Sequence, residues 1–262
     1  NSGRQVDGLG GGFSSLSKAA IISRSKRHGI DVEFNFAQVD IKTSFVDWSG
    51  TCGNISSAVG PFAINEGLVE LTKPVTEVNV LAVNTGKTFL SCVPVSDGGP
   101  LTYGNFAIDG VPGKASKITL KFHDPGGSLG KGVLPTESLI NHIKTPLNGI
   151  FKVSIIDVGI PTIFVSVEDF SYKMSCTVED LDRDSETKSA LEAIRCEVAV
   201  MLGLSKDVET AHIESQALPK IVLIDSKSNY ISRDKQEINS DDIDLRAIAI
   251  SMGQAHRTYP VS

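Results

Sequence analysis

The stretch Thr51 to Leu68, TCGNISSAVGPFAINEGL, sets a cysteine directly before Gly-Asn and a run of small and apolar residues. Ile55, Val59, Phe62 and Ala63 recur at i, i+4, i+7 and i+8, the spacing of one helical face, with Gly67 as a stop. Cys52 therefore stands at a helix start, where backbone N–H groups and the helix dipole favour a thiolate. Gly53 lets a ligand approach the backbone, and the same N–H groups can hold a carboxylate. The alternative reading is a small buried residue in a crowded loop. Lys18 follows the glycine-rich DGLGGGFSSLSK and precedes Ala-Ala-Ile-Ile. Apolar neighbours would strip a lysine of water and leave part of it neutral as a base. The alternative is a solvated lysine, which the rarity of buried lysine favours. His256 and Arg257, in GQAHRTYPV, suit carboxylate binding or a proton relay, against a purely structural histidine.

Other chemistries lack their residues. No GxxxxGK[ST] loop is present, GLGGG follows no strand, and there is no G-x-S-x-G elbow. His28, His123, His142 and His212 show no metal-ligand spacing, and the four cysteines (Cys52, Cys92, Cys176, Cys196) form no CxxC pair. Reduced thiols and no metal are expected. Cys92 and Cys196 lie in core-patterned segments, and Cys176 has no catalytic context.

The elements that must position these residues read as strands wrapped on helices. LSKAAIIS is apolar and regular, with Ser17 placed to cap whatever begins at Lys18. VEFNFAQVDI alternates as a strand, TEVNVLAVNTGKTFLSCVPV carries a hairpin signal at Asn84-Thr85-Gly86, and KITLKF alternates again. FKVSIIDVGIPTIFVSV holds two apolar runs broken at Gly159 and Pro161. In SETKSALEAIRCEVAVMLGL, Leu191, Ile194, Val198 and Met201 make a stripe closed by Gly203, and KIVLID and LRAIAIS read as strands. The Gly- and Pro-rich HDPGGSLGKGVLPTESLINHIKTPLNG suggests a boundary, giving domains 1–146 and 147–262, each with strands around a long apolar helix.

Of 262 residues, 40% are hydrophobic and 21% charged, enough for a sizeable core. A formal charge of -6 with no basic run argues against nucleic acid as a partner. No apolar run reaches the ~18 residues of a membrane span, and the polar N-terminus is no leader, so a cytoplasmic protein is expected. The chain starts inside a loop and stops just after a strand-like run, as a fragment would.

Taken in order, GRQVDGLGGGFSSLSKAAI, FAQVD, TCGNISSAVGPFAINEGLV, HDPGGSLGKGVLPT, IIDVGIPTIFV, LEAIRCEVAVMLGL and QAHRTYPVS resemble the 2-methylaconitate cis-trans isomerase family over nearly the whole chain. That family includes 3-methylitaconate isomerase and 4-oxalomesaconate tautomerase. The resemblance implies an α+β fold like that of diaminopimelate epimerase, two similar domains each with a curled, mostly antiparallel sheet around a central helix, and an active site in the cleft between them. It implies Lys18 and Cys52 as an acid/base pair, with Ser17, Gly53, Asn54, His256, Arg257 and Ser262 at substrate-binding positions. It implies no cofactor, a small polycarboxylate as the partner, and leaves a homodimer open. The expected function is isomerisation of aconitate-like acids, against an oxalomesaconate-type tautomerase or a non-catalytic polycarboxylate binder. Measured on the family, the chain lacks the first strand of its N-terminal domain, ends at Ser262 in place of a threonine, and carries Ile160 where Asn is common.

Overall fold

The computed structural model describes residues 12–109, 111–146, 149–173, 177–232, 235–256 and 259. Its strands and helices run β1 (Lys18–Arg24), β2 (Val32–Val39), β3 (Val46–Asp47), α1 (Gly53–Ser56), α2 (Val59–Asn65), β4 (Val75–Ala82), β5 (Lys87–Ser96), β6 (Gly99–Pro100) and β7 (Thr119–Phe122). Then follow β8 (Asn141–Thr145), β9 (Gly149–Val158), β10 (Ile160–Ser166), α3 (Val178–Arg183), α4 (Ser185–Leu202), α5 (Val208–Glu214), β11 (Lys220–Ser226), β12 (Tyr230–Ile231), β13 (Glu237–Ile238), β14 (Leu245–Ser251) and β15 (Gln254–Ala255).

By packing, the chain forms two compact units that are discontinuous in sequence. The smaller takes Ala19–Ala37 and Thr51–Pro125; the larger takes Lys18, Gln38–Gly50 and everything from Gly126 to Pro260. In the first sheet the strand order is β1-β2-β4-β5-β6, with β3 on β2 and β7 on β5. Its one described parallel pair is β2 with β4, in which Val32 faces Val80 and Phe34 faces Ala82. Strand alternation turns Val78 and Val80 of β4 and Phe89 and Val93 of β5 inward onto α2.

The expected first helix is one helical run that tightens partway. Ser57 and Ala58 keep right-handed backbone angles, and their N–H groups reach back only three residues, to Asn54 and Ile55. This twist takes Phe62 off the buried face, leaving it 45% exposed, while Val59 and Ala63 stay buried. Gly67, at φ 64°, ends the run: its N–H meets the Ile64 carbonyl and that of Leu68 meets Ala63. The helix of this unit is therefore shorter than its sequence pattern suggests.

The larger unit is built on a sheet of order β15-β14-β11-β10-β9-β8, antiparallel except for β10 with β11. Against it lies the 18-residue α4, started by the Asp184 carboxylate at Thr187 N–H and ended by Gly203 at φ 80°. Leu191, Ile194 and Val198 face the sheet as expected, but Leu202 completes the stripe and Met201 stands 45% exposed. A step of four residues from Val198 stays on the face that a step of three leaves. Cys196 is buried, whereas Cys92 points to the opposite face of β5 from Ser91 and Val93 and is only half-buried. Cys176 lies outside the described residues. The β9–β10 hairpin turns at Gly159, φ 84°, and Ile160 is buried at the start of β10.

The segment LSKAAIIS is strand β1, so Ser17 caps no helix; its carbonyl instead accepts from Val39 N–H. The glycine-rich run ahead of Gly12 lies outside the described residues. The second Gly-rich segment is organised by Asp157, the last inward residue of β9. Its carboxylate accepts from Ser128 Oγ at 2.7 Å and Leu129 N–H at 2.9 Å, while its backbone pairs with Gly127 and Val133. Lys131, from the same loop, donates to the Leu202 carbonyl at the end of α4, where a cation complements the helix dipole. No helix among the described residues is long and apolar enough to cross a membrane.

Gly60 shows how closely α2 meets β5. A Cβ there would sit 2.3 Å from Ser91 Oγ, 2.8 Å from Val93 Cγ2 and 2.9 Å from Ser91 Cβ, and Ser91 Oγ is a buried hydroxyl without a hydrogen-bond partner. We expect Gly60→Ala to cost about 1–3 kcal/mol in thermal or urea unfolding despite its better helix propensity. Ser91→Ala should raise stability by about 1 kcal/mol. Adding Ser91→Ala to Gly60→Ala should restore only part of the loss, because the Ser91 Cβ overlap remains; an unchanged midpoint for Gly60→Ala contradicts this packing.

Candidate active site

The segment that leads to Cys52 is fixed by a buried carboxylate. Asp47, 2% exposed, accepts from Ser49 N–H at 2.8 Å and from Ser49 Oγ with one oxygen, and from Ala217 N–H at 2.9 Å with the other. Gly50 then passes Leu218 at a distance where a Cβ would make ordinary van der Waals contact with its side chain, at 3.8 Å. Cys52 itself is the extended N-cap of α1, at φ −138° and ψ 108°, and its side chain makes no capping hydrogen bond. Its carbonyl accepts the first bonds of the turn, from Ser56 N–H at 3.1 Å and Ser56 Oγ at 2.8 Å. Cys52 is 7% exposed and in no disulfide. Because α1 is one turn long, local N–H groups rather than a summed macrodipole are what a ligand would meet at Gly53 and Asn54.

Lys18 begins β1 directly after a turn in which Leu16 and Ser17 N–H both donate to the Phe13 carbonyl. Two glutamine side chains pin that turn. Gln38, 3% exposed, donates from Nε2 to the carbonyls of Ser14 at 2.9 Å and Ser17 at 3.0 Å. Gln254 Oε1 accepts from the Ser14 hydroxyl at 3.3 Å. Gln254 belongs to the β14–β15 hairpin, turned by Met252 and Gly253 at positive φ, and two residues on His256 N–H donates to the Ala249 carbonyl at 2.7 Å.

Ser17, Lys18 and His256 thus share the larger unit and one hydrogen-bonded framework, while Cys52, Gly53 and Asn54 share the smaller. Arg257 and Ser262 lie outside the described residues. The sequence reading missed Gln38, Asp47 and Gln254. For Gln38 the signal was present: Val32, Phe34 and Phe36 occupy the inward series of β2, and Gln38 is its next member.

One group of side chains has metal-ligand types. Ligand atoms of Glu192, Cys196 and His212 lie within 4.8 Å of one another. Arg195, 4% exposed, occupies the place a cation would take: its guanidinium meets both Glu192 oxygens, at 2.6 and 2.8 Å, and stands 3.2 Å from Cys196 Sγ. Burial pushes the Cys196 thiol up to about 12, which opposes thiolate ligation. Arg195 also donates to the carbonyls of Ala211, Ser215 and Leu218, so the group ties α5 and the following loop to α4. These residues do not fit a metal.

The whole chain, residues 1–262, matches the family model described as PrpF protein. The chain belongs to the PrpF family. It is 37% identical over 261 residues to 2-methyl-aconitate isomerase of Cupriavidus necator, covering 97% of this chain and 66% of that protein. It is 35% identical to 4-oxalomesaconate tautomerase of Pseudomonas putida, covering 86% of this chain and 60% of that protein. The crystal structure of methylitaconate-delta-isomerase superimposes with a TM-score of 0.75 at 36% identity, over 97% of this chain and 66% of that one. This PrpF chain therefore spans 60 to 66% of the length of these relatives, and its α+β fold of two sheet-rich units is that of methylitaconate-delta-isomerase.

The Arg195 group makes two predictions. Burial raises the Glu192 carboxyl, but hydrogen bonds from Arg195 and His212 outweigh it and hold the group below its ordinary 4.5. A depressed acid contributes stability above its unfolded value and loses it as pH falls through its folded value. Glu192→Gln should cost about 3 kcal/mol at neutral pH by leaving Arg195 without its counter-charge. It should also flatten the fall in stability between about pH 5 and 3, measured by urea unfolding; a curve parallel to wild type refutes the assignment. Cys196 should resist iodoacetamide in the native protein at neutral pH and react once unfolded, as read by peptide mass spectrometry.

Proposed function

We infer that this protein is a cofactor-independent isomerase of small unsaturated di- and tricarboxylates of the aconitate and methylaconitate kind. The observation that carries the reading is the Cys52 thiol: it heads a helix without capping it, in a family whose named relatives include a 2-methyl-aconitate isomerase. A group that moves a proton must lie within hydrogen-bond reach of it.

In this reading one member of the Lys18 and Cys52 pair removes a proton from the carbon next to the double bond. The electron pair delocalises through that bond into the adjoining carboxylate as a dienolate. The loosened bond rotates or the double bond shifts, and the other member returns a proton. Which residue is the base is a property of the coupled pair rather than of either alone. Backbone N–H groups at Gly53 and Asn54 hold one carboxylate and stabilise the developing negative charge. Ser17, His256, Arg257 and Ser262 contact the remaining carboxylates.

The same proton chemistry serves a keto-enol tautomerase, a reading favoured by the likeness to the Pseudomonas putida enzyme. Proton NMR in deuterated water, with the full-length protein and its Lys18→Ala and Cys52→Ser variants, separates the cases. Wild type should exchange solvent deuterium into 2-methylaconitate or trans-aconitate and isomerise it. Each variant should be slower by about 100-fold or more while still binding the acid. Exchange into oxalomesaconate alone selects the tautomerase; binding without any exchange contradicts catalysis and marks a carboxylate-binding relative.

A further inference from the structure

The amide of Gln38 is a buried polar group that the proton chemistry above does not use, and its place in the strand is costly. It continues the inward face of Val32, Phe34 and Phe36, where an apolar residue would pack without desolvating an amide. What the amide does there is specific. Both of its described partners are carbonyl oxygens, so the NH2 group must face them, one hydrogen to Ser14 and one to Ser17. The Ser17 carbonyl belongs to the peptide whose nitrogen is that of Lys18. It accepts twice, from Gln38 Nε2 at 3.0 Å and from Val39 N–H at 3.0 Å, which fills both lone pairs and fixes the plane of the Ser17–Lys18 peptide. The second hydrogen holds the other side of the turn at Ser14, whose hydroxyl in turn meets Gln254 and the Ser251 carbonyl.

We propose that Gln38 is a positioning residue for Lys18: its amide sets the plane of the peptide from which the lysine side chain departs and so its angle of attack. Ser14 and Gln254 brace the same turn from its other end. The assignment rests on Lys18 being one of the two proton-transfer residues. Neither Met nor Asn can replace the amide: Met offers no donor and leaves the Ser14 carbonyl without one, while Asn is one carbon too short to span both carbonyls.

The test is a double-mutant cycle in the full-length protein, read by solvent deuterium exchange into 2-methylaconitate. Gln38→Met should lower kcat by about 10-fold or more, with KM within about threefold, because misplacement of a reacting group costs rate more than binding. In the Lys18→Ala background the same substitution should lower the residual exchange no further. A merely structural glutamine would slow both backgrounds equally, and that result, or no loss in either, overturns the proposal. Gln38→Asn carries the same expectations and replaces Gln38→Met if the latter does not fold. The rate of Lys18 acetylation by acetic anhydride, measured by peptide mass spectrometry against the other lysines, is independent of turnover. It should change by about threefold or more in either Gln38 variant. If wild type shows no exchange, the isomerase reading fails and Lys18 acetylation decides the Gln38 assignment alone: an unchanged rate overturns it.

Discussion

Backbone groups that leave a sheet inside a protein must still find hydrogen-bond partners, and buried polar side chains supply several of them among the described residues. Gln38 meets the turn before Lys18, Asp47 meets the loops at Ser49 and Ala217, Asp157 meets the Gly-rich loop at Ser128 and Leu129, and Arg195 meets the carbonyls of Ala211, Ser215 and Leu218. Each sits where a strand or helix would otherwise carry an apolar residue. The loops they hold include those from which the candidate chemistry emerges. A polar group buried with its partners rigidifies its surroundings, and one left without them is destabilising, so these four positions make the loops behave as extensions of the sheets. Asp47 and Arg195 illustrate the linkage. Arg195 grips the carbonyls of Ser215 and Leu218, the N–H of Ala217 between them goes to Asp47, and Asp47 shapes the loop that runs into Cys52.

Much of this was legible in the amino-acid sequence because most strands and helices obey their periods. TEVNVLAV and KTFLSCVPV form their hairpin at the expected turn, FKVSIIDV and IPTIFVS pair about Gly159, and the helix ending at Gly203 has the expected closure. The misreadings have local causes. LSKAAIIS has no helical period to support a cap at Ser17, and β-sheet pairing claims it. Phe62 and Met201 satisfy a three- or four-residue spacing from buried neighbours yet face outward, one because the helical run tightens at Ser57–Ala58 and the other because the stripe advances to Leu202.

The polar anchors were hidden for a different reason. Gln38 and Asp157 occupy inward positions of β2 and β9, and Arg195 follows Leu191 by four residues on the buried side of α4. Hydrophobic-pattern reading treats such residues as interruptions, whereas physically they are the strongest positional signal in their segments, since a buried amide or charge is costly without partners. The candidate residues themselves split accordingly. Cys52 was singled out from its helix start and Lys18 from its glycine-rich loop and apolar neighbours, while among the groups that hold their backbones Gln38 alone left a signal in its strand period and its partners emerge only from the hydrogen bonds.

In the proposed function the Cys52 thiol, which makes no capping hydrogen bond to its own helix, meets the substrate. Carboxymethylation of the full-length protein with iodoacetate, followed in parallel by residual isomerase activity and by the mass of the Cys52 peptide, tests it directly. The account predicts that activity falls in step with modification of Cys52 and that saturating 2-methylaconitate slows both together. Full activity after complete modification of Cys52, or a modification rate indifferent to the acid, would contradict it.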